Sequence, residues 1–124
     1  MKKIISTEKA PAAIGPYSQG IAINNMVYTS GQLPINVETG EMPKTIKEQT
    51  RQSLENVKAI VEEAGSNLEG VIKTTVFLSD MNNFTQMNEV YKEFFINNYP
   101  SRSAVEVARL PKDALVEIEV VAVI

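Results

Sequence analysis

The segment Pro100-Ser101-Arg102-Ser103-Ala104-Val105 carries the side chain in this sequence best suited to chemistry. Arg102 stands at the start of a stretch that soon turns apolar, where a cation is costly unless it meets an anion. A guanidinium keeps its charge at any working pH and grips a carboxylate through two parallel N–H donors, so it suits an amino-acid-like ligand. The competing reading is a structural ion pair with Glu117 or Glu119, or simple exposure. Those two glutamates lie two apart in Val116-Glu117-Ile118-Glu119-Val120, where flanking valines would desolvate a carboxyl and raise its pKa towards a value useful for proton transfer. Edge-strand charges that discourage aggregation give the same pattern. Tyr17 and Ser30 place hydroxyls close to glycines, where backbone can approach a ligand, and they serve equally as loop anchors. Gly31 follows Ser30, and Asn88 lies between Met87 and Glu89 beside an apolar stripe.

Missing residue types narrow the chemistry further, since the chain has no Cys, no His and no Trp. Disulfides, thiolate nucleophiles, Ser-His-Asp triads and Cys/His zinc sites each need a residue that is absent. No Asp-rich loop of calcium-binding spacing occurs, so a metal is not expected, and any catalysis must use carboxylates, Tyr, Ser/Thr, Lys or Arg, backbone dipoles or a borrowed cofactor. A net charge of −3 argues against broad binding to a phosphate backbone, and nucleic acid is not an expected partner. No apolar run approaches the roughly 20 residues that span a bilayer, and the opening MKKIISTEKAPAA lacks the apolar stretch of a secretory signal. A soluble cytoplasmic protein with no membrane contact is the expectation.

The elements that must position these residues are legible in the periodicity. Lys2 to Thr7 reads as a strand, followed by a Pro/Gly-punctuated loop that holds Tyr17. Two strand pieces flank Asn24-Asn25, a pair that tolerates the positive φ of a tight turn. Leu54, Val57, Ile60, Val61 and Ala64 recur at three- and four-residue spacings and predict a helix that starts at Thr45, with Glu48 as its capping-box partner, and stops at Gly65. The β-branched run GVIKTTVFLSD predicts a buried strand. A second helix from near Asp80 carries Phe84, Met87, Val90, Tyr91, Phe94 and Phe95 as its stripe and ends before Pro100. The C-terminal third reads as a hairpin of two strands joined by Leu110-Pro111-Lys112-Asp113, a register that puts Arg102 and Glu117 on one face unless it slips by one residue. The fold class is then α+β, one domain over residues 1–124, with a mostly antiparallel sheet and two helices packed on one face. On the other face Val105, Val121 and Val123 alternate with charges, a pattern of subunit interfaces or of a face half covered by its own loops.

PSRSAVEVARLPKDALVEIE closely resembles the signature of the Rid, or YjgF-type, reactive intermediate deaminase family. GPYSQG, YTSGQLP, QSLENVKAIVEEAG and MNEVYKEFF resemble the same family at matching places, so the resemblance runs from end to end. It implies a chorismate-mutase-like fold, a homotrimer with a central barrel, and sites in the clefts between protomers. The implied activity is hydrolysis of 2-imino acids, such as 2-iminobutanoate and 2-iminopropanoate, to 2-oxo acids and ammonia. These imines descend from enamines released by pyridoxal-phosphate dehydratases, and the family needs no cofactor of its own. Arg102 would take the substrate carboxylate and Glu117 would orient water; Tyr17, Ser30, Gly31 and Asn88 would line the cleft. Many relatives carry Cys where this chain has Ala104, so a thiol is not essential here and Ala104 offers at most a backbone contact. A regulatory protein that binds the same acids without turnover is the alternative within the superfamily, and a ribonuclease role attached to some relatives fits an acidic, histidine-free chain least.

Overall fold

At Asn24 and Asn25 the backbone takes φ of 48° and 63°, a left-handed pair that joins β2 (Gly20–Ile23) to β3 (Met26–Thr29) in a two-residue hairpin. The computed structural model describes residues 1–124. Its other elements are β1 (Lys3–Ile5), α1 (Ile46–Glu63), β4 (Val71–Leu78), α2 (Phe84–Phe94), β5 (Ser101–Glu106) and β6 (Val116–Val123). Single 3₁₀ turns at Leu68–Gly70 and Met81–Asn83, and a turn at Pro111–Asp113 in which Lys112 and Asp113 take φ of 57°, lie between them. The sequential order of strands and helices is the one read from periodicity.

Both ends of α1 close as the sequence indicates. Thr45 accepts a hydrogen bond from the Glu48 N–H, and its hydroxyl donates back to the Glu48 carboxylate at 2.9 Å. Gly65 adopts φ of 93° beyond the last turn, with Gly65 N–H donating to Glu62 and Ser66 N–H to Val61, the paired bonds of a Schellman end. Asp80 caps the 3₁₀ turn that leads into α2 rather than α2 itself, so the helix proper starts at Phe84.

The six strands form one sheet in the order β1-β2-β3-β6-β4-β5. All neighbours are antiparallel except β4 and β5, which run parallel and are joined through α2. The expected C-terminal hairpin is therefore wrong: β4 lies between β5 and β6. A parallel pair needs a long crossover, which α2 supplies, whereas the segment from 107 to 115 is free to pass over the end of β4. The consequence for register decides the site. Arg102 pairs with Thr74, and Thr74 with Val120, whereas Glu117 pairs with Phe77. Directly paired residues share a face, so Arg102 and Glu117 point to opposite faces of the sheet.

Both helices cover one face. There Val116, Ile118, Val120 and Ala122 of β6 meet Val76 and Leu78 of β4 and Leu54, Val57, Ile60 and Val61 of α1 in one buried cluster. The opposite face carries Tyr28, Val105, Val123, Glu117 and Glu119 with no helix over it, and Tyr28, Val105 and Val123 are exposed there. β5 is an edge strand whose second side has no partner. None of the helices is long and apolar enough to cross a membrane.

If the α1 ends act as described, Thr45→Ala lowers unfolding free energy by about 1 kcal/mol. Gly65→Ala lowers it by about 1 to 2 kcal/mol, because alanine resists the left-handed region. Urea denaturation monitored by circular dichroism measures both, and unchanged midpoints would refute the two caps.

Candidate functional site

Arg102 projects from β5 on the helical side of the sheet and lies against α2. Its guanidinium carbon sits 4.7 Å from the centre of the Tyr91 ring and 5.3 Å from that of Phe84. One Nη1 hydrogen goes to the Asn88 side-chain oxygen at 2.7 Å. Phe84, Asn88 and Tyr91 fall at i, i+4 and i+7, so a single face of α2 presents ring, amide and ring to one cation. Tyr91 is fixed in turn: its hydroxyl shares a 2.8 Å hydrogen bond with Thr74, the register partner of Arg102, and its ring packs against Phe95. Burial pushes the Tyr91 hydroxyl pKa up, so the ring stays neutral beneath the guanidinium.

The chain has three arginines, and Arg102 alone lacks a carboxylate partner. Arg51 pairs with Glu93 and Arg109 with Asp113. The alternative of an ion pair with Glu117 or Glu119 is overturned, since both occupy the far side of the sheet. Simple exposure does not describe Arg102 either, because it is half-buried on the rings. Its free N–H donors border a cleft of about 470 Å³ lined by Asn88, Tyr91, Lys92, Tyr99, Pro100 and Arg102. Ala104 continues β5 on the same face and packs, partly buried, against the core, and its methyl group brings no reactive atom to the cleft. A groove of similar size between the ends of α1 and α2 contains none of the site residues.

Glu117 belongs to a second cluster. Its carboxyl lies over Gly31 so closely that a Cβ at that position would come within 2.8 Å of the Glu117 carboxyl carbon. Only glycine leaves space for the carboxyl where it stands. Desolvation pushes the Glu117 pKa above the ordinary carboxylate value, and the neighbouring charge of Glu119 adds to the shift. Ser30 donates its hydroxyl to the Ser18 carbonyl and its N–H to that of Gln19, tying the strand end to the loop that carries the exposed Tyr17. Thus Gly31 and Glu117 meet on one side, with Ser30 next to them in sequence and Tyr17 in the loop that Ser30 bonds, and Asn88, Arg102 and Ala104 lie on the other. The expectation that Arg102 and Glu117 share a face fails within a single chain.

Several positioning groups escaped the reading of motifs. The buried Gln19 amide bonds Thr7, Ala10 and Pro11, holding the loop before Tyr17. From α1, Ser53 donates to the Gln32 carbonyl, Asn56 to those of Leu33 and Ile35, and Gln49 accepts from Leu115 N–H. Gln49, Ser53 and Asn56 follow helical spacing beside the apolar stripe, a signal present in the sequence but overshadowed by its apolar neighbours. Gln32 exchanges backbone hydrogen bonds with Ile118, which brings Gly31 alongside Glu117. Phe84 and Tyr91 were legible as core stripe and not as the bed of Arg102.

Residues 7–124 match the model of the family described as endoribonuclease L-PSP. The chain is 56% identical to the 2-iminobutanoate/2-iminopropanoate deaminase of Escherichia coli strain K12, across 99% of this chain and 98% of that one. It is similar to E. coli TdcF, solved with bound serine, at a TM-score of 0.95 and 55% identity over 98% of each chain. RidA from the Antarctic bacterium Psychrobacter sp. PAMC 21119 superposes at a TM-score of 0.95 and 47% identity, over 98% of this chain and 99% of that one. Similarity at this level, from the first strand to the last, makes the chain a member of the RidA/YjgF-type reactive intermediate deaminase family.

Proposed function

We propose that this protein hydrolyses 2-iminobutanoate, 2-iminopropanoate and related 2-imino acids to 2-oxo acids and ammonia. The observation that carries the reading is Arg102, a half-buried guanidinium with no carboxylate of its own and free donors beside an open cleft. The name of the E. coli deaminase, at 56% identity, supports the same substrate class.

The reaction suits these groups. Arg102 binds the carboxylate through two N–H donors and thereby sets the position of C2. Glu117, whose raised pKa makes it a stronger base than an exposed glutamate, takes a proton as water adds to C2 of the protonated imine. The carbinolamine then receives that proton on nitrogen, and as the C–N bond breaks Glu117 takes the hydroxyl proton, so that the carbonyl forms, ammonia leaves and the proton passes to ammonia or solvent. A protonated imine carbon is already electrophilic, so neither a covalent nucleophile nor a Lewis acid is required by the chemistry. Enamines enter after tautomerising to imines, which makes pyridoxal-phosphate dehydratases the fitting source of substrate.

Arg102 and Glu117 lie on opposite faces of one sheet, so a cleft holding both requires two chains. The helical-side surface of one protomer would meet the open-side surface of the next. Contacts between unlike surfaces close into rings when the rotation from one chain to the next divides a full turn, and a homotrimer, with the apolar open faces turned inward, is the assembly we infer. Ser30 would act through its loop, and Tyr17, exposed and adjacent, would line the cleft.

With a dehydratase generating 2-iminobutanoate, added protein should accelerate formation of 2-oxobutanoate, and unchanged decay would reject the enzymatic reading. Binding of 2-oxobutanoate without turnover would instead indicate a regulatory protein. Arg102→Ala should remove at least ~99% of the acceleration, in line with loss of a charge-assisted bidentate contact of about 3 kcal/mol. Arg102→Ala and Glu117→Ala chains, each inactive alone, should recover about a quarter of wild-type activity when refolded together in equal amounts, because mixed three-membered rings each contain one intact cleft. No recovery would place both residues in a cleft made by one chain or in no common cleft.

The raised Glu117 pKa gives a pH signature. Activity should fall on the acid side through a pKa above the ordinary glutamate range, and that limb should vanish in Glu117→Gln along with most turnover. For stability the sign is opposite to that of a salt-bridged carboxylate. A folded-state pKa above the unfolded value favours the protonated form, so the contribution is full below the unfolded pKa and is lost as pH rises through the folded one. Glu117→Gln should therefore melt higher than wild type at neutral pH and no higher near pH 3, as differential scanning calorimetry would read.

A further inference from the structure

We propose that Tyr91 and Phe84 are positioning residues for the reaction: together they form an aromatic bed that holds the Arg102 guanidinium in place without neutralising it. The inference rests on the reading of Arg102 as the carboxylate receptor and adds the means by which the chain keeps that receptor ready. A folded protein has two usual ways to hold an arginine. A carboxylate attracts the cation but occupies its N–H donors, as Glu93 does for Arg51 and Asp113 for Arg109. An aromatic face attracts the same cation through its quadrupole and leaves the in-plane donors untouched. Arg102 is held in the second way, with ring centres at 4.7 and 5.3 Å and a single in-plane bond to Asn88.

The bed is itself anchored. Tyr91 is 4% exposed, and its hydroxyl bonds Thr74, which is fully buried and directly abreast of Arg102 in the β4–β5 ladder. One tyrosine therefore ties α2 to the strand beside Arg102 by its hydroxyl and supports the guanidinium by its ring. Phe84, two helical turns away and half-buried, contributes the second face, and Asn88 between them fixes the rotation of the guanidinium in its plane. A long, flexible side chain ordered beforehand loses less freedom when its ligand arrives. The same arrangement discriminates against lysine at 102, whose ammonium has no plane to lay on the rings.

The test measures affinity and geometry separately. Phe84→Leu and Tyr91→Leu should each weaken 2-oxobutanoate binding roughly 3- to 10-fold by NMR titration, the range expected from loss of one cation–π contact. KM for the imine should rise by a similar factor while kcat stays within about twofold. Tyr91→Phe, which keeps the ring, should recover most of what Tyr91→Leu loses. In an Arg102→Ala background, Phe84→Leu should cause no further weakening, because the group it positions is gone. Independently of any ligand, the Arg102 side-chain protons of the wild-type protein should be shifted upfield by the rings, and Phe84→Leu should move them downfield. Equal affinity in Phe84→Leu and wild type, or equal weakening with and without Arg102, would overturn the proposal. If Tyr91→Leu does not fold, Phe84→Leu decides alone. If the wild-type protein binds no 2-oxo acid, the functional reading fails while the proton shifts still settle the aromatic bed.

Discussion

An unneutralised guanidinium, half sunk into protein, is the constraint around which this molecule is arranged. Desolvating a cation without an anion is costly, and the usual remedy, a carboxylate from the same chain, would occupy its N–H donors. Two aromatic rings and one amide oxygen from a single face of α2 resolve the conflict. They attract the charge and direct it, and they leave most of its hydrogen-bonding capacity unused within the chain. The register of β5 on β4 serves this purpose, since it puts Arg102 over α2 and beside Thr74.

The same sheet separates the two chemical groups. Glu117 lies on the far face, pressed over a glycine that has no Cβ to displace it and raised in basicity by desolvation. Each cluster is supported by its own scaffolding: α2 and β4 under Arg102, and Gln32, bonded in turn to α1 and Ile118, beside Glu117. Both hang on β4, which pairs with β5 on one side and with β6 on the other. In our reading the meeting of protomers is thus the event that builds the cleft, and chain folding prepares two surfaces that need each other.

Much of this was legible in the sequence, for identifiable reasons. The ends of α1 were visible because Thr45 and Gly65 perform local tasks that few other residues perform. The Asn24-Asn25 turn was visible for the same reason, as both residues must enter the left-handed region. Strand order was not visible, because β5 and β6 are neighbours in sequence and only a long-range choice inserts β4 between them. That one choice sends Arg102 and Glu117 to opposite faces, so the expectation that they share one fails within a single chain. The aromatic bed was hidden by an ambiguity of type: Phe84 and Tyr91 obey the periodicity of core residues, and nothing local distinguishes a ring packed on aliphatic side chains from one packed under a cation. Glu117 over Gly31 was hidden in the same way, as the contact joins residues more than eighty positions apart.

The bare side of β5 bears on more than recognition. A strand with unpaired amides invites the backbone of another molecule, and polar or charged side chains along it are the common deterrent. Here the strand reads Ser101-Arg102-Ser103-Ala104-Val105-Glu106, so the unpaired cation is also one of only two charges on this strand. Removing that arginine would leave Glu106 as the one charge on the strand, so the substitution that deletes the cation would also bare this edge to the backbone of another molecule.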